Sequence, residues 1–183
     1  MAVIISMLRG VNLGKRRIKM DALRELCASL ELDNPQTYVQ SGNVIFETKE
    51  RNLARLAVRI EDAIQRKFGF HSDVILRTTE EMRGVIGRNP FAGRKNIEPG
   101  KLVVTFLAED PGEAAREAVR EIKADPEELW IDGRELYIYF PQNMGRTKLP
   151  VSAIGKILKT PGTARNWNSV SRVLEMAELR ETS

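Results

Sequence analysis

Residues 3–8 are apolar apart from Ser6, which predicts a strand covered on both faces. After a polar, glycine-bearing stretch, Leu23, Leu26, Cys27 and Leu30 fall at i, i+3, i+4 and i+7, one stripe of a helix. The run QTYVQSGNVIFET predicts two strands about a tight hairpin with Gly42 and Asn43 in the turn. A two-residue loop would place Val39, Val44 and Phe46 on one face and Tyr38, Gln40 and Ile45 on the other. Leu53, Leu56, Ala57, Ile60, Ile64 and Phe68 mark a second helix, with Gly69 placed to end it. Residues 73–77 read as a strand, and Thr78-Thr79-Glu80-Glu81 as a capping box for a short helix carrying Met82, Val85 and Ile86. The order is β-α-β-β-α-β with an added helix, the split βαβ or ferredoxin-like arrangement.

Residues 88–100 (RNPFAGRKNIEPG) carry the punctuation of a linker, and the same order then returns. Residues 102–107 predict a strand, and 114–122 a helix with Ala115, Ala118, Val119 and Ile122 inward. Residues 128–140 predict a hairpin about Asp132-Gly133, 151–159 a short helix, Thr163-Ala164 a brief strand, and 169–179 a last helix capped by Asn168. The fold class is therefore α+β, with two ferredoxin-like (α-β plait) subdomains at 1–90 and 91–183. In the second hairpin Leu129, Ile131, Leu136, Ile138 and Phe140 take the core face. Trp130, Tyr137 and Tyr139 share the other, with Val103 and Thr105 as companions. An aromatic sheet face is how RNA-recognition modules stack bases, but Glu128 and Glu135 on it repel phosphates, and the RNA-recognition signature is absent. The pattern favours packing of this face against the other subdomain or a second subunit.

Composition narrows the classes. Hydrophobic residues at 42% and charged residues at 30% are ordinary for a globular protein, and no apolar run approaches a membrane span. The opening MAVIISMLRG lacks the features of a secretory signal, and the single cysteine, Cys27, excludes an internal disulfide. The expected compartment is the cytoplasm. The net charge of +4 lies entirely in the first half: residues 1–90 hold 15 basic and 11 acidic side chains, the rest 14 of each. That bias favours anionic partners, nucleic acid among them. With one histidine, His71, and one cysteine on an apolar stripe, no standard zinc cluster or Cys-His pair is expected, and no metal is assigned.

The loop LRGVNLGKRRIKM is neither a P-loop, since Gly10 and Gly14 are one residue too close, nor a dinucleotide fingerprint. It is a strand-to-helix link first. Arg9, Gly10, Asn12 and the cations Lys15, Arg16, Arg17 and Lys19 make it an anion loop second. Gln40, Ser41 and Asn43 cluster donors and acceptors at a hairpin tip. MGRTKLP (residues 144–150) and TARNWNSV (163–170) place Arg146, Lys148, Arg165, Asn166 and Trp167 on loops before helices, where an Arg beside an aromatic suits phosphate or carboxylate.

LRGVNLG…KM, TYVQSGNVIFE, NPF, GRELYIYFP, GRTKL and TARNWN, in that order, resemble a widespread bacterial family known only as domain of unknown function 1697. The resemblance spans residues 7–179. It implies a cytoplasmic protein of two α-β plait subdomains, and carries no established activity, cofactor or catalytic residue. The family's usual loop reads RGIN(V)GG, whereas Lys15 replaces one glycine of the pair here. The leading expectation is a binding module for a small anionic or nucleotide-like ligand held between the subdomains. Arg146, Lys148 and Arg165 would hold charge, Asn12, Gln40 and Asn166 would orient, and Trp167 would stack. The alternatives are an enzyme of acyl or phosphoryl chemistry using Ser41 or Thr147 with Lys148, an RNA-binding protein, or a structural dimer.

Overall fold

In the computed structural model, which describes residues 1–183, the first apolar run forms strand β1 (Ala2–Leu8). It pairs antiparallel with β3 (Asn43–Thr48) on one side and β4 (Val74–Thr78) on the other, and β2 (Asp33–Tyr38) completes the sheet in the order β2-β3-β1-β4. Helices α1 (Met20–Ser29) and α2 (Leu53–Phe68) bury their stripes on one sheet face. Leu23, Leu26, Leu56 and Ile60 meet Ile4, Leu8, Val44 and Phe46 there. Each such side chain contributes about 1.5–3 kcal/mol on burial. Asn52 caps α2 through the Arg55 N–H at 3.0 Å, and Gly69, at φ 80°, closes it in the left-handed conformation. Ile5, Met7, Ile45, Ile75 and Arg77, on the opposite face, are buried as well, as an unbroken apolar strand requires.

Helix α3 (Thr79–Gly87) starts at the reciprocal capping box that the sequence predicts: the Glu81 N–H donates to the Thr78 hydroxyl at 3.0 Å and the Thr78 N–H to the Glu81 carboxylate at 2.9 Å. The second half repeats the order with β5 (Leu102–Leu107), α4 (Glu113–Arg120), β6 (Glu128–Asp132), β7 (Glu135–Tyr139), α5 (Val151–Leu158), β8 (Gly162–Asn166) and α6 (Trp167–Glu181). Its antiparallel sheet runs β6-β7-β5-β8, the order of the first sheet. Val103, Leu107, Ile131, Leu136, Ile138 and Phe140 form its core with Val119, Ile154 and Leu158 of the helices. The fold is α+β with two similar β-α-β-β-α-β halves. The chain divides into two units, Met1–Gly84 with Ser171–Ser183, and Val85–Val170, so the divisions fall inside α3 and α6. Within the first unit Arg83 bonds Glu178 and Glu181 at 2.7 and 2.8 Å, and Arg180 reaches Gln36 at 3.3 Å. No helix is long and apolar enough to cross a membrane.

Four local expectations are corrected. The first hairpin turns through four residues, 39–42, because Tyr38 pairs with Asn43. Val39 therefore leaves the sheet face and stands exposed at φ 53°. Val103 and Thr105 pair with Ile138 and Leu136 on the core side, so Leu102, Val104 and Phe106 are the companions of the aromatic face. Asn166, not Asn168, caps α6, accepting the Ser169 N–H at 3.0 Å. Finally, the aromatic face is covered within its own unit by residues 85–98. Tyr137 donates to the Val85 carbonyl at 2.7 Å, Tyr139 donates to Asn96 at 3.1 Å, and Phe91 lies 6.1 Å from the Tyr139 ring. Arg88 and Arg94 of that segment neutralise Glu135 and Glu128 at 2.8 Å each. Tyr137 and Tyr139 are buried there and offer no surface for stacking bases.

Candidate functional site

The first unit carries its most basic loop at the end of β1, and the loop is built rather than loose. Gly10 and Asn12 take left-handed conformations at φ 67° and 59°, which fold the chain back so that the Asn12 N–H donates to the Arg16 carbonyl at 2.6 Å and the Arg16 N–H to Leu13 at 3.0 Å. The Asn12 side chain accepts the Ile18 N–H at 3.0 Å and donates to the Gln40 carbonyl. It is thus committed to clamping this loop onto the first hairpin tip. Gly42 makes that approach possible, since a Cβ there would stand 2.8 Å from both Leu8 and Val11. Arg16 turns inward. Its guanidinium donates to the Gly10 carbonyl at 2.8 Å and to the His71 carbonyl, and lies 4.7 Å over the Phe70 ring. The buried Ser72 hydroxyl donates to the Arg9 carbonyl at 2.8 Å.

With those groups spent, Lys15, Arg17 and Lys19 face solvent around Leu13, which is 66% exposed at the tip. None of the three has a carboxylate partner, and Arg17 makes one bond, to the Asn12 carbonyl at 3.1 Å. Arg9, also exposed, lies 3.8 Å from Asp73. At the hairpin tip Gln40 is exposed and Ser41 half-buried. Asn43 is buried, its amide donating to Tyr38 and Ser41. The other end of the sheet carries a groove of about 460 Å³ lined by Met1, Thr48, Lys49, Glu50, Arg51 and Leu53. A second, of about 630 Å³, adds Glu31 and Asp33 to Thr48, Lys49, Glu50 and Arg59. Their charges are mixed and select no sign.

In the second unit Arg146 and Lys148 are exposed on a single-turn segment, whereas Arg165 is buried on β8. Arg165 donates to the Thr163 hydroxyl at 2.7 Å and to the Ala164 carbonyl at 2.9 Å, and burial lowers its pKa to about 10. Asn166 serves as the α6 cap, and Trp167 is half-buried as that helix's first residue. The Thr147 hydroxyl donates to Glu127 and accepts the Leu149 N–H at 3.1 Å. That hydrogen bond holds the Glu127 carboxyl below its ordinary range, which suits an anchor better than a base. Burial raises the Cys27 thiol to about 12, an inert core group.

A family model described as protein of unknown function, domain of unknown function 1697, matches residues 1–137. The chain belongs to this family. A solved structure, that of the conserved bacterial protein SP0830 from Streptococcus pneumoniae, is similar over 97% of this chain and 99% of that one, with a TM-score of 0.75 at 20% identity. At that identity the likeness speaks for the fold. None of the curated proteins matches the chain.

In this member of the domain of unknown function 1697 family, the matched region holds the loop after β1 and the first hairpin tip, two of the sequence-picked groups that lie side by side. Sequence reading did not anticipate Arg16 as the internal staple of that loop, because the signal is a cation bound by carbonyls distant along the chain. It also missed Glu61 beside His71 and Asp73. The His71–Asp73 spacing was visible, but the helical partner ten residues earlier was not.

Proposed function

We propose that the protein is a binding module for a small anionic, phosphate-bearing ligand, read by residues 9–19 and the 39–43 hairpin tip of the first unit. The observation that carries this reading is the set of exposed, unpaired cations Lys15, Arg17 and Lys19 on a loop that Asn12 and Arg16 hold in one shape. A loop already held in one shape loses little backbone entropy on binding, and the summed field of its cations attracts anions. Exposed Gln40 and half-buried Ser41, beside the loop, supply polar groups for orientation. Arg146 and Lys148 offer a cationic element on the second unit. Arg165, held in the interior, contributes to the unit's packing instead.

Binding of fluorescent nucleotides, and of short RNA as comparison, against salt tests the reading. The expected result is a dependence on salt that becomes shallower in Lys15→Ala/Arg17→Ala/Lys19→Ala. For single-stranded RNA the log–log slope should fall by about 2 if three phosphate contacts are lost. Binding that the triple substitution leaves unchanged would refute the loop as the site. A loss confined to Arg146→Ala/Lys148→Ala would move the site to the second unit.

A further inference from the structure

The chain's one histidine stands beside two carboxylates. We propose that Glu61, His71 and Asp73 form a binding site for a borderline divalent transition metal, zinc or a close relative, with a coordination position left open to an oxygen ligand. The donor atoms of the three side chains lie within 4.8 Å of one another, and His71 Nε2 is 2.9 Å from Asp73 Oδ1. At the tetrahedral angle, ligands about 2.0–2.2 Å from one ion stand roughly 3.3–3.6 Å apart. The widest donor separation therefore has to close by about an ångström on binding, through side-chain rotation of the exposed His71 and the half-buried Glu61 and Asp73.

The donors come from two pieces of chain held in place by contacts outside the cluster. Glu61 lies on α2, two turns before the Gly69 cap, while His71 and Asp73 alternate in the segment leading to β4, which sends both side chains to one side. The Arg9 N–H donates to the Asp73 carbonyl at 2.9 Å, the buried Ser72 hydroxyl to Arg9, and Arg16 to the His71 carbonyl. An outer oxygen has a partner too. Arg9 lies 3.8 Å from Asp73 Oδ2. Such outer contacts orient ligands toward a metal.

The donor chemistry selects the ion. One imidazole nitrogen with two carboxylates suits zinc and its neighbours, whereas magnesium and calcium favour all-oxygen shells. Three protein ligands leave a position for water or another oxygen donor, unlike a closed four-ligand structural centre. The site uses none of the exposed lysines, so it stands or falls apart from the anion reading.

Because the chain has a single histidine, its imidazole ¹⁵N signals report this site alone. Titration with Zn²⁺ is expected to shift them saturably at one equivalent, and Co²⁺ to give a ligand-field absorption that Zn²⁺ displaces. His71→Gln, Asp73→Asn and Glu61→Gln should each weaken Zn²⁺ binding by roughly tenfold or more. Amide spectra check that each variant is folded; should the half-buried Glu61 or Asp73 variant fail this check, the exposed His71→Gln carries the test. An imidazole signal that Zn²⁺ leaves unmoved overturns the proposal. So does a folded variant that binds Zn²⁺ as tightly as the parent, or an equal response to Mg²⁺.

Discussion

Single residues decide how the two loops of the first unit meet. Gly42 is the sharpest case: its φ of 85° and the 2.8 Å separations from Leu8 and Val11 leave no room for a side chain. Gly42→Ala should cost about 2–4 kcal/mol through a left-handed backbone and overpacking together, read as a lowered urea midpoint at unchanged slope. A cost under about 0.5 kcal/mol would mean that the loop and hairpin tip are not in contact. The need for glycine at this turn was legible in the sequence, as was the Thr78–Glu81 capping box, because both are local. Asn12 and Arg16 were not legible in their true roles. Their partners, Gln40 and His71, lie far along the chain, so residue type alone marked them as solvent-facing ligands when they are fastenings.

Elements show a second limit of the same kind. The stripes of β1, α1, α2 and α4 were visible from periodicity, whereas β2 and β8 were marked only by a turn and by a brief run; the pairing of β5 with β7, moreover, put Val104 rather than Val103 on the aromatic face. Register is normally set by which face is apolar, but β5 is apolar and buried on both, so its pattern does not choose between them. The segment joining α3 to β5 held the missing information in plain sight: Arg88, Phe91 and Arg94 complement Glu135, Tyr139 and Glu128. This arrangement has a pH consequence. Arg94 holds Glu128, and Thr147 holds Glu127, below their ordinary pKa values; Gly112 and Arg116 do the same for Asp110, as Arg116 and Arg120 do for Glu113. Carboxyls depressed in the folded state give stability that is complete above their unfolded values, about 4, and is lost as pH falls through the folded ones. Glu61, which burial raises, runs the opposite way in the first unit. Trp130 and Trp167 both lie in the second unit, so tryptophan fluorescence reads it. Its urea midpoint should hold from pH 7 to about pH 5 and fall below about pH 4. A fall already complete by pH 5 would contradict these pairings.

At the scale of the whole chain, the two halves repeat a strand order and also a detail at the fourth strand. Arg77 and Arg165 are each buried one residue before a helix cap, Thr78 and Asn166, and each donates to the carbonyl of the residue before it, at 3.0 and 2.9 Å. The element order was legible without any such detail, whereas the matching arginines became visible only once both strands were placed. What the halves do not share is a fastened cationic loop. Lys15, Arg17 and Lys19 of the first unit stand without a carboxylate partner on a loop that Asn12 and Arg16 hold in shape, whereas Arg146 and Lys148 of the second lie on a segment with no such fastening described for them. That asymmetry is the basis of the anion reading. It is tested most directly by thermal shift of the parent and the Lys15→Ala/Arg17→Ala/Lys19→Ala protein across nucleotides and sugar phosphates at physiological salt. A ligand at about 100 times its Kd should stabilise the parent by about 2.7 kcal/mol, a rise of roughly 5–11 °C, and should leave the triple variant nearly unmoved. Equal shifts in both proteins, or none in the parent across the panel, would contradict the account.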